Sequence, residues 1–166
     1  MTKHFSLTST ALALSLLLPA VAHAQRIVFV VRHAERADAG MAQQETDPQL
    51  SSIGKARAEK LAKMLADAGI TAVYATQFVR TQDTVKPLAA TLHVPVTTMP
   101  AAATPGLVDK VKADHPNDIV LIAGHSNTLP DIIKAFGGPA VTVADGQYDD
   151  IFVLVPATKT MTRIRY

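Results

Sequence analysis

Residues 27–35 read Ile-Val-Phe-Val-Val-Arg-His-Ala-Glu. The first five are apolar and mostly β-branched, the pattern of a central parallel strand covered on both faces. The apolar run stops at Arg32-His33. In an open α/β sheet the ligand crevice lies just past the carboxyl ends of the parallel strands. A second apolar run, Ile119 to Ala123, ends in the same way at Gly124-His125-Ser126-Asn127. Two histidines carried to one sheet edge by two strands are expected to be neighbours. The arginine beside one of them points to an anion between them.

Around these two runs the chain alternates. Ala72 to Ala75 and Val94 to Thr98 read as further strands. A helix is expected from Ser51 or Ser52 to about Ala68, with Ile53, Arg57, Leu61 and Leu65 at four-residue spacing and Gly69 as its stop. A second helix spans Gln77 to Leu92, with Pro87 expected to kink or restart it. Leu107 to Asp114 and Leu129 to Phe136 are shorter helices, the latter with Pro130 in its first turn. Arg36–Pro48 and Pro100–Pro105 read as loops. Ile151 to Val155 and Met161 to Arg165 form an antiparallel hairpin. This order predicts an α/β three-layer sandwich: a mostly parallel sheet, helices on both faces and an antiparallel C-terminal edge.

Bulk composition narrows the classes. A chain of 166 residues with 48% apolar and 18% charged residues suits one globular domain. The formal charge of +2 is small and its basic residues are scattered, so no nucleic-acid partner is expected. Neither a Gly-x-Gly-x-x-Gly after the first strand nor a Gly-Lys-Ser/Thr element is present, which removes the two common nucleotide-binding routes. Residues 1–24 are expected to be a signal peptide. Lys3 supplies the positive start, Thr10 to Leu18 the apolar stretch, and Ala22-His23-Ala24 a small-x-small cleavage site. The apolar stretch is shorter than the roughly 20 residues of a membrane span, so no stable membrane anchor is expected. The functional domain is then 25–166, in a periplasmic or secreted protein, and the absence of cysteine is compatible with that destination.

Two further features concern the sheet edge. Arg80 falls in the first turn of its helix, where a cation opposes the helix dipole and a bound anion would resolve the conflict. Gly124 lets the backbone turn sharply after its strand. Ser126 and Asn127 are N-cap candidates for the next helix, whose free N–H groups suit a phosphate.

Four motifs give these features a family. Arg32-His33-Ala34-Glu35 resembles the R-H-G/A-E signature of the histidine phosphatase superfamily, the phosphoglycerate-mutase-like fold. Leu50-Ser51-Ser52-Ile53-Gly54 is similar to its L-T/S-x-x-G helix start. Tyr74-Ala75-Thr76 with Arg80-Thr81-Gln82-Asp83-Thr84 is similar to its Y-x-S/T…R-T/A-x-x-T segment, and Gly124-His125-Ser126-Asn127 to its G-H-x-x element. The four stand in family order. The resemblance implies that His33 is a nucleophile that becomes phosphohistidine, that Arg32 and Arg80 grip the phosphoryl oxygens, and that His125 is a further donor. Ser126 and Asn127 complete the expected phosphate-binding set. An attacking imidazole must be neutral, so one ring nitrogen of His33 should donate to a backbone carbonyl. His125 is expected to act protonated beside a dianion.

No cofactor and no metal are expected: His4, His23, His93 and His115 show no ligand spacing, and the last two are expected to be exposed. The proton donor for the leaving group is the gap. The resemblance implies a glutamate after the Arg80 helix, but Val94 to Gly106 contains no acidic residue. Glu35 is the candidate nearest the nucleophile, with Asp38, Glu45, Asp47, Asp149 and Asp150 as weaker options. The implied activity is an exported, metal-independent phosphoric monoester hydrolase acting on a small phosphorylated substrate or a phosphorylated surface glycan. The alternative is a phosphate-ester-binding member with little or no turnover.

Overall fold

The computed structural model describes residues 26–42 and 45–166. The expected signal peptide 1–24, its cleavage after Ala24, His4 and His23 lie outside the described residues.

Six strands, β1 (Ile27–Arg32), β2 (Ala72–Thr76), β3 (Val96–Met99), β4 (Ile119–Gly124), β5 (Asp150–Val155) and β6 (Thr160–Arg165), form one sheet in the order β3-β2-β4-β1-β5-β6. The β3-β2-β4-β1 pairings are parallel, while β5 runs antiparallel to β1 and β6 to β5. This is the expected mostly parallel sheet with an antiparallel edge. Successive residues of each strand feed different cores, as the two-residue side-chain period requires. Phe29, Val31, Val73, Ala75, Leu121 and Ala123 pack beneath helices α1 (Ser52–Leu65) and α2 (Val79–Leu92). Val28, Val30, Tyr74, Val120, Ile122 and Phe152 pack on the other face beneath α3 (Thr104–Asp114) and α4 (Leu129–Ala135). Both strand cores are buried on two sides, which is why β1 and β4 read as unbroken apolar runs.

Adjacent β1 and β4 send their chains to opposite faces, β1 towards α1 and β4 towards α4. A crevice opens between two such strands at their carboxyl ends. The register puts Arg32 opposite Gly124, and His33 N–H donates to the Gly124 carbonyl at 2.9 Å. The next residue along each strand is a histidine at position 33 and at position 125.

Several local expectations change. The four-residue stripe on α1 does not hold, because four residues advance about 400° and the stripe drifts by about 40° per step. Ile53 is consequently 64% exposed, and the buried face is Gly54, Ala58, Leu61, Ala62 and Leu65. Pro87 does not restart α2, which runs unbroken through it. The expected loop 100–105 holds a 3-10 turn at Ala101–Ala103 and the first turn of α3, with Pro105 where a missing N–H costs nothing. Neither Ser126 nor Asn127 caps α4; the cap position is Thr128, whose Oγ1 accepts the His125 N–H at 3.0 Å instead. His115 is not free on the surface: its Nε2 is 3.0 Å from the buried Tyr74 hydroxyl and its Nδ1 2.8 Å from Asp118. Among the described residues no helix is long and apolar enough to cross a membrane.

Candidate active site

Two helices, through Ser51 and Gly54 at the start of α1 and Thr84 on α2, hold the segment after β1. Ser51, the N-cap of α1, donates its backbone N–H to the Glu35 carbonyl at 2.9 Å. Gly54 then lets the helix start lie directly on that segment, since a Cβ there would collide with the Glu35 carbonyl oxygen. From α2, Thr84 Oγ1 accepts the Ala34 N–H at 2.8 Å while its hydroxyl donates to the Arg80 carbonyl at 2.8 Å. The motif residues around Leu50–Gly54 and Thr84 are therefore the supports of the Arg32–Glu35 segment.

His33 is 4% exposed. Its Nδ1 lies 2.8 Å from the Ala34 carbonyl, an acceptor only, so Nδ1 carries the proton and Nε2 keeps its lone pair. Desolvation, reinforced by His125, Arg80 and Arg32, pulls the His33 pKa down to about 3, against the Ala34 carbonyl bond that raises it. The imidazole is neutral at any ordinary working pH. The His125 ring lies 5.1 Å from it between centroids, at 62°. Its Nε2 is 2.9 Å from Thr76 Oγ1, and the Thr76 hydroxyl donates to Thr81 Oγ1 at 2.9 Å. With the Thr76 proton committed, Nε2–H of His125 is the donor, and Nδ1 is the unprotonated nitrogen. Burial, with the charges of Arg80 and Arg32, lowers the His125 pKa to about 4. The protonated state expected for His125 is thus not the state of the protein alone: two guanidinium groups and desolvation oppose it.

Arg32 and Arg80 are each 8% exposed, and each stacks on an aromatic ring. The Arg32 guanidinium carbon lies 4.2 Å from the Tyr148 ring centre, that of Arg80 4.3 Å from Phe78. Arg32 Nη1 donates to the carbonyls of Ala144 and Asp145 at 2.8 and 2.6 Å, so the 144–148 segment fixes its direction. Asp47 supports Arg80 at 3.4 Å and also accepts the Val79 N–H at the start of α2. Burial lowers the pKa of both arginines, and their Nε atoms find no hydrogen-bond partner among the described residues. An anion beside them offsets that burial by charge.

These groups line one cavity of about 700 Å³, together with Arg36, Phe78, Ala101, Ala102, Ser126, Asn127, Asp145 and Tyr148. The structure thus gathers Arg32, His33, Arg80, His125, Ser126 and Asn127. It does not bring in Glu35, the expected proton donor. The Glu35 carboxylate is held by Arg57, with Nε at 2.9 Å from both oxygens and Nη2 at 2.7 Å. Burial alone would raise its pKa, but the Arg57 fork and the nearby charges outweigh it and keep the carboxyl ionised. Asp38 is likewise forked by Arg36 at 2.8 and 2.7 Å, and Asp150 by Arg163 at 2.6 Å. Sequence reading missed Asp145, Tyr148, Phe78 and Arg36 as cavity residues, and Thr76 and Thr84 as supports. Among the described residues no group of three or more His, Cys, Asp or Glu side chains is placed to hold a metal ion.

A sequence model of the histidine phosphatase superfamily (branch 1) matches residues 28–103, which include three of the four motifs. No curated protein sequence matches the chain. Solved structures share the fold. The protein histidine phosphatase SixA complexed with tungstate is similar with a TM-score of 0.63 at 19% identity, over 83% of this chain and 94% of that one. The mycobacterial glucosyl-3-phosphoglycerate phosphatase gives 0.64 at 14% identity, over 85% and 98%. YhfR of Bacillus stearothermophilus gives 0.67 at 14% identity, over 79% and 91%. Over residues 28–103, from β1 to the 3-10 turn, the chain is similar to the histidine phosphatase superfamily, and the four motifs in order and the architecture shared with these solved structures agree with that likeness.

Proposed function

We propose that this protein is a phosphatase that hydrolyses phosphate esters through a phosphohistidine formed on His33, without a metal ion. One observation carries the reading. The Nδ1–H of His33 is spent on the Ala34 carbonyl, which leaves Nε2 as a neutral nucleophile in a cavity walled by Arg32, Arg80 and His125. Phosphoryl transfer asks chiefly for positioning and charge stabilisation, and guanidinium groups supply charge at any working pH. Nε2 of His33 attacks phosphorus, the P–O bond breaks, and the leaving oxygen takes its electron pair. Water then attacks the phosphohistidine, the P–N bond breaks, and the electron pair returns to Nε2. His125 gains a second N–H when the dianion opposes the causes that keep it neutral, and that N–H serves the phosphoryl oxygens.

The same family fold holds tungstate in the SixA structure, a tetrahedral oxyanion like phosphate. Export to the periplasm or medium is supported by Lys3, the apolar Thr10 to Leu18 and Ala22-His23-Ala24. A protein placed there would meet small phosphomonoesters or phosphorylated surface glycans. A mature N-terminus at Gln25 in the periplasmic or secreted fraction checks that part.

The test is turnover of p-nitrophenyl phosphate in the presence of EDTA, wild type against His33→Ala. Turnover that survives EDTA and vanishes in the variant supports the proposal; a metal requirement contradicts it. The capture of Glu35 by Arg57 favours a second reading, binding of phosphate esters with little turnover. Micromolar phosphate binding without hydrolysis would decide for it.

A further inference from the structure

We propose that Asp145 is the group that protonates the leaving oxygen, an inference that rests on the phosphatase reading above. Among the residues lining the cavity it is the one carboxyl. The other nearby carboxylates are already engaged: Glu35 by Arg57, Asp38 by Arg36, Asp47 by the Val79 N–H and Arg80. The Asp145 carboxylate makes no hydrogen bond or ion pair among the described residues. The stretch where the family resemblance places an acid supplies Ala101 and Ala102 to the cavity wall, and neither transfers a proton.

Position supports the assignment. Asp145 follows Ala144 in a turn closed by Gln147 N–H to the Ala144 carbonyl at 3.0 Å and by Ala144 N–H to Gln147 Oε1 at 3.3 Å. The turn is tied to the site itself, because the Asp145 carbonyl accepts from Arg32 Nη1 at 2.6 Å. Arg32 is adjacent to the nucleophile in sequence and faces the same cavity. An exposed side chain in the cavity wall, on a backbone tied to Arg32, meets the two needs of an acid–base group: exchange of protons with water and a place in the same cavity as His33. In the first step the Asp145 O–H bond breaks and its proton goes to the leaving oxygen as the P–O bond breaks. In the second step the carboxylate takes a proton from the water that attacks phosphohistidine, which restores the acid.

The leaving group reads this out. Glycerol phosphate expels a basic alkoxide that needs the proton, whereas 2,4-dinitrophenyl phosphate expels a stable phenolate that does not. Asp145→Asn is expected to lower kcat/KM for glycerol phosphate about 10²–10⁴-fold, the usual yield of a positioned acid. The same variant should alter kcat/KM for the dinitrophenyl ester, and inhibition by inorganic phosphate, by less than about threefold. Equal slowing of both esters, or no slowing of glycerol phosphate, overturns the assignment. So does transfer of the leaving-group-dependent loss to Tyr148→Phe, since that phenol lines the same cavity. If the wild type cleaves the dinitrophenyl ester in a His33-dependent way while Asp145→Asn changes nothing, Asp145 falls and the phosphatase reading stands. If the wild type cleaves neither ester, both fall.

Discussion

The imidazole rings of His33 and His125 lie 5.1 Å apart, and the contact is set by the sheet rather than by the histidines. Parallel pairing puts Arg32 opposite Gly124, so the next residue on each strand enters the same crevice. Gly124 itself admits no side chain, because a Cβ would come within 2.9 Å of Thr128 Oγ1 and 3.0 Å of Leu129 Cδ1. The two rings nevertheless differ in what their nitrogens do. His33 is held through Nδ1, which leaves its Nε2 lone pair free, while His125 is held through Nε2 by Thr76.

Thr84 holds the residue after His33 from behind, through the Ala34 N–H. Replacing it with Val keeps the shape but leaves the buried Ala34 N–H without an acceptor, at a cost of about 1–3 kcal/mol. The segment carrying His33 then loses its tie to α2, and kcat should fall about tenfold or more. Denaturant unfolding and steady-state kinetics on Thr84→Val check both; unchanged kcat with lowered stability would make Thr84 a purely structural residue.

Glu35 should behave as a brace. Glu35→Gln weakens the fork to Arg57, which also donates to the Tyr166 carbonyl at 3.1 Å, and about 1 kcal/mol of stability should be lost. Any loss of rate should be the same for good and poor leaving groups. A loss confined to poor leaving groups would return Glu35 to the role of acid.

Acid should unfold this protein early, and the two histidines set the sign. Their pKa values in the folded protein, about 3 and about 4, lie below the unfolded value near 6.5. The unfolded chain therefore binds more protons as pH drops below about 6.5, and stability is lost progressively down to the folded values. Each unit of pKa difference carries about 1.4 kcal/mol. Urea midpoints at pH 7 and pH 5 should fall steeply for the wild type and less for His33→Asn. Equal slopes would contradict the neutral buried imidazole.

Anion binding should draw in a proton. Nε2–H of His125 is already given to Thr76, so a second N–H on this ring requires protonation, which a nearby dianion favours. Calorimetry of tungstate binding at neutral pH, in buffers of different ionisation enthalpy, should show uptake that disappears in His125→Gln. The same uptake in the variant would place the proton elsewhere.

How much of this is visible in sequence depends on the range of the signal. The strand ends at Arg32 and Gly124 are legible because a strand buried on both faces leaves an unbroken apolar run, and its end marks the crevice. Arg80 is legible because a cation at a helix start is out of place. Ile53 misleads, since a four-residue spacing drifts around a helix of 3.6 residues per turn. Tyr148 and Asp145 leave no local trace: the stretch before β5 has no period, and its place beside Arg32 is decided by three backbone carbonyls. Glu35 is near His33 in sequence, but its partner Arg57 lies a whole loop and helix turn away and claims its carboxylate.

The central claim is that His33 Nε2 takes the phosphoryl group. The most direct measurement is rapid quenching of wild-type turnover of 2,4-dinitrophenyl phosphate into alkali, followed by mass spectrometric mapping of the phosphorylated peptide. The account predicts an acid-labile phosphoryl group on the peptide carrying His33, absent from His33→Ala along with turnover. A phosphoryl group mapped to another residue, or turnover that persists in His33→Ala, would contradict it.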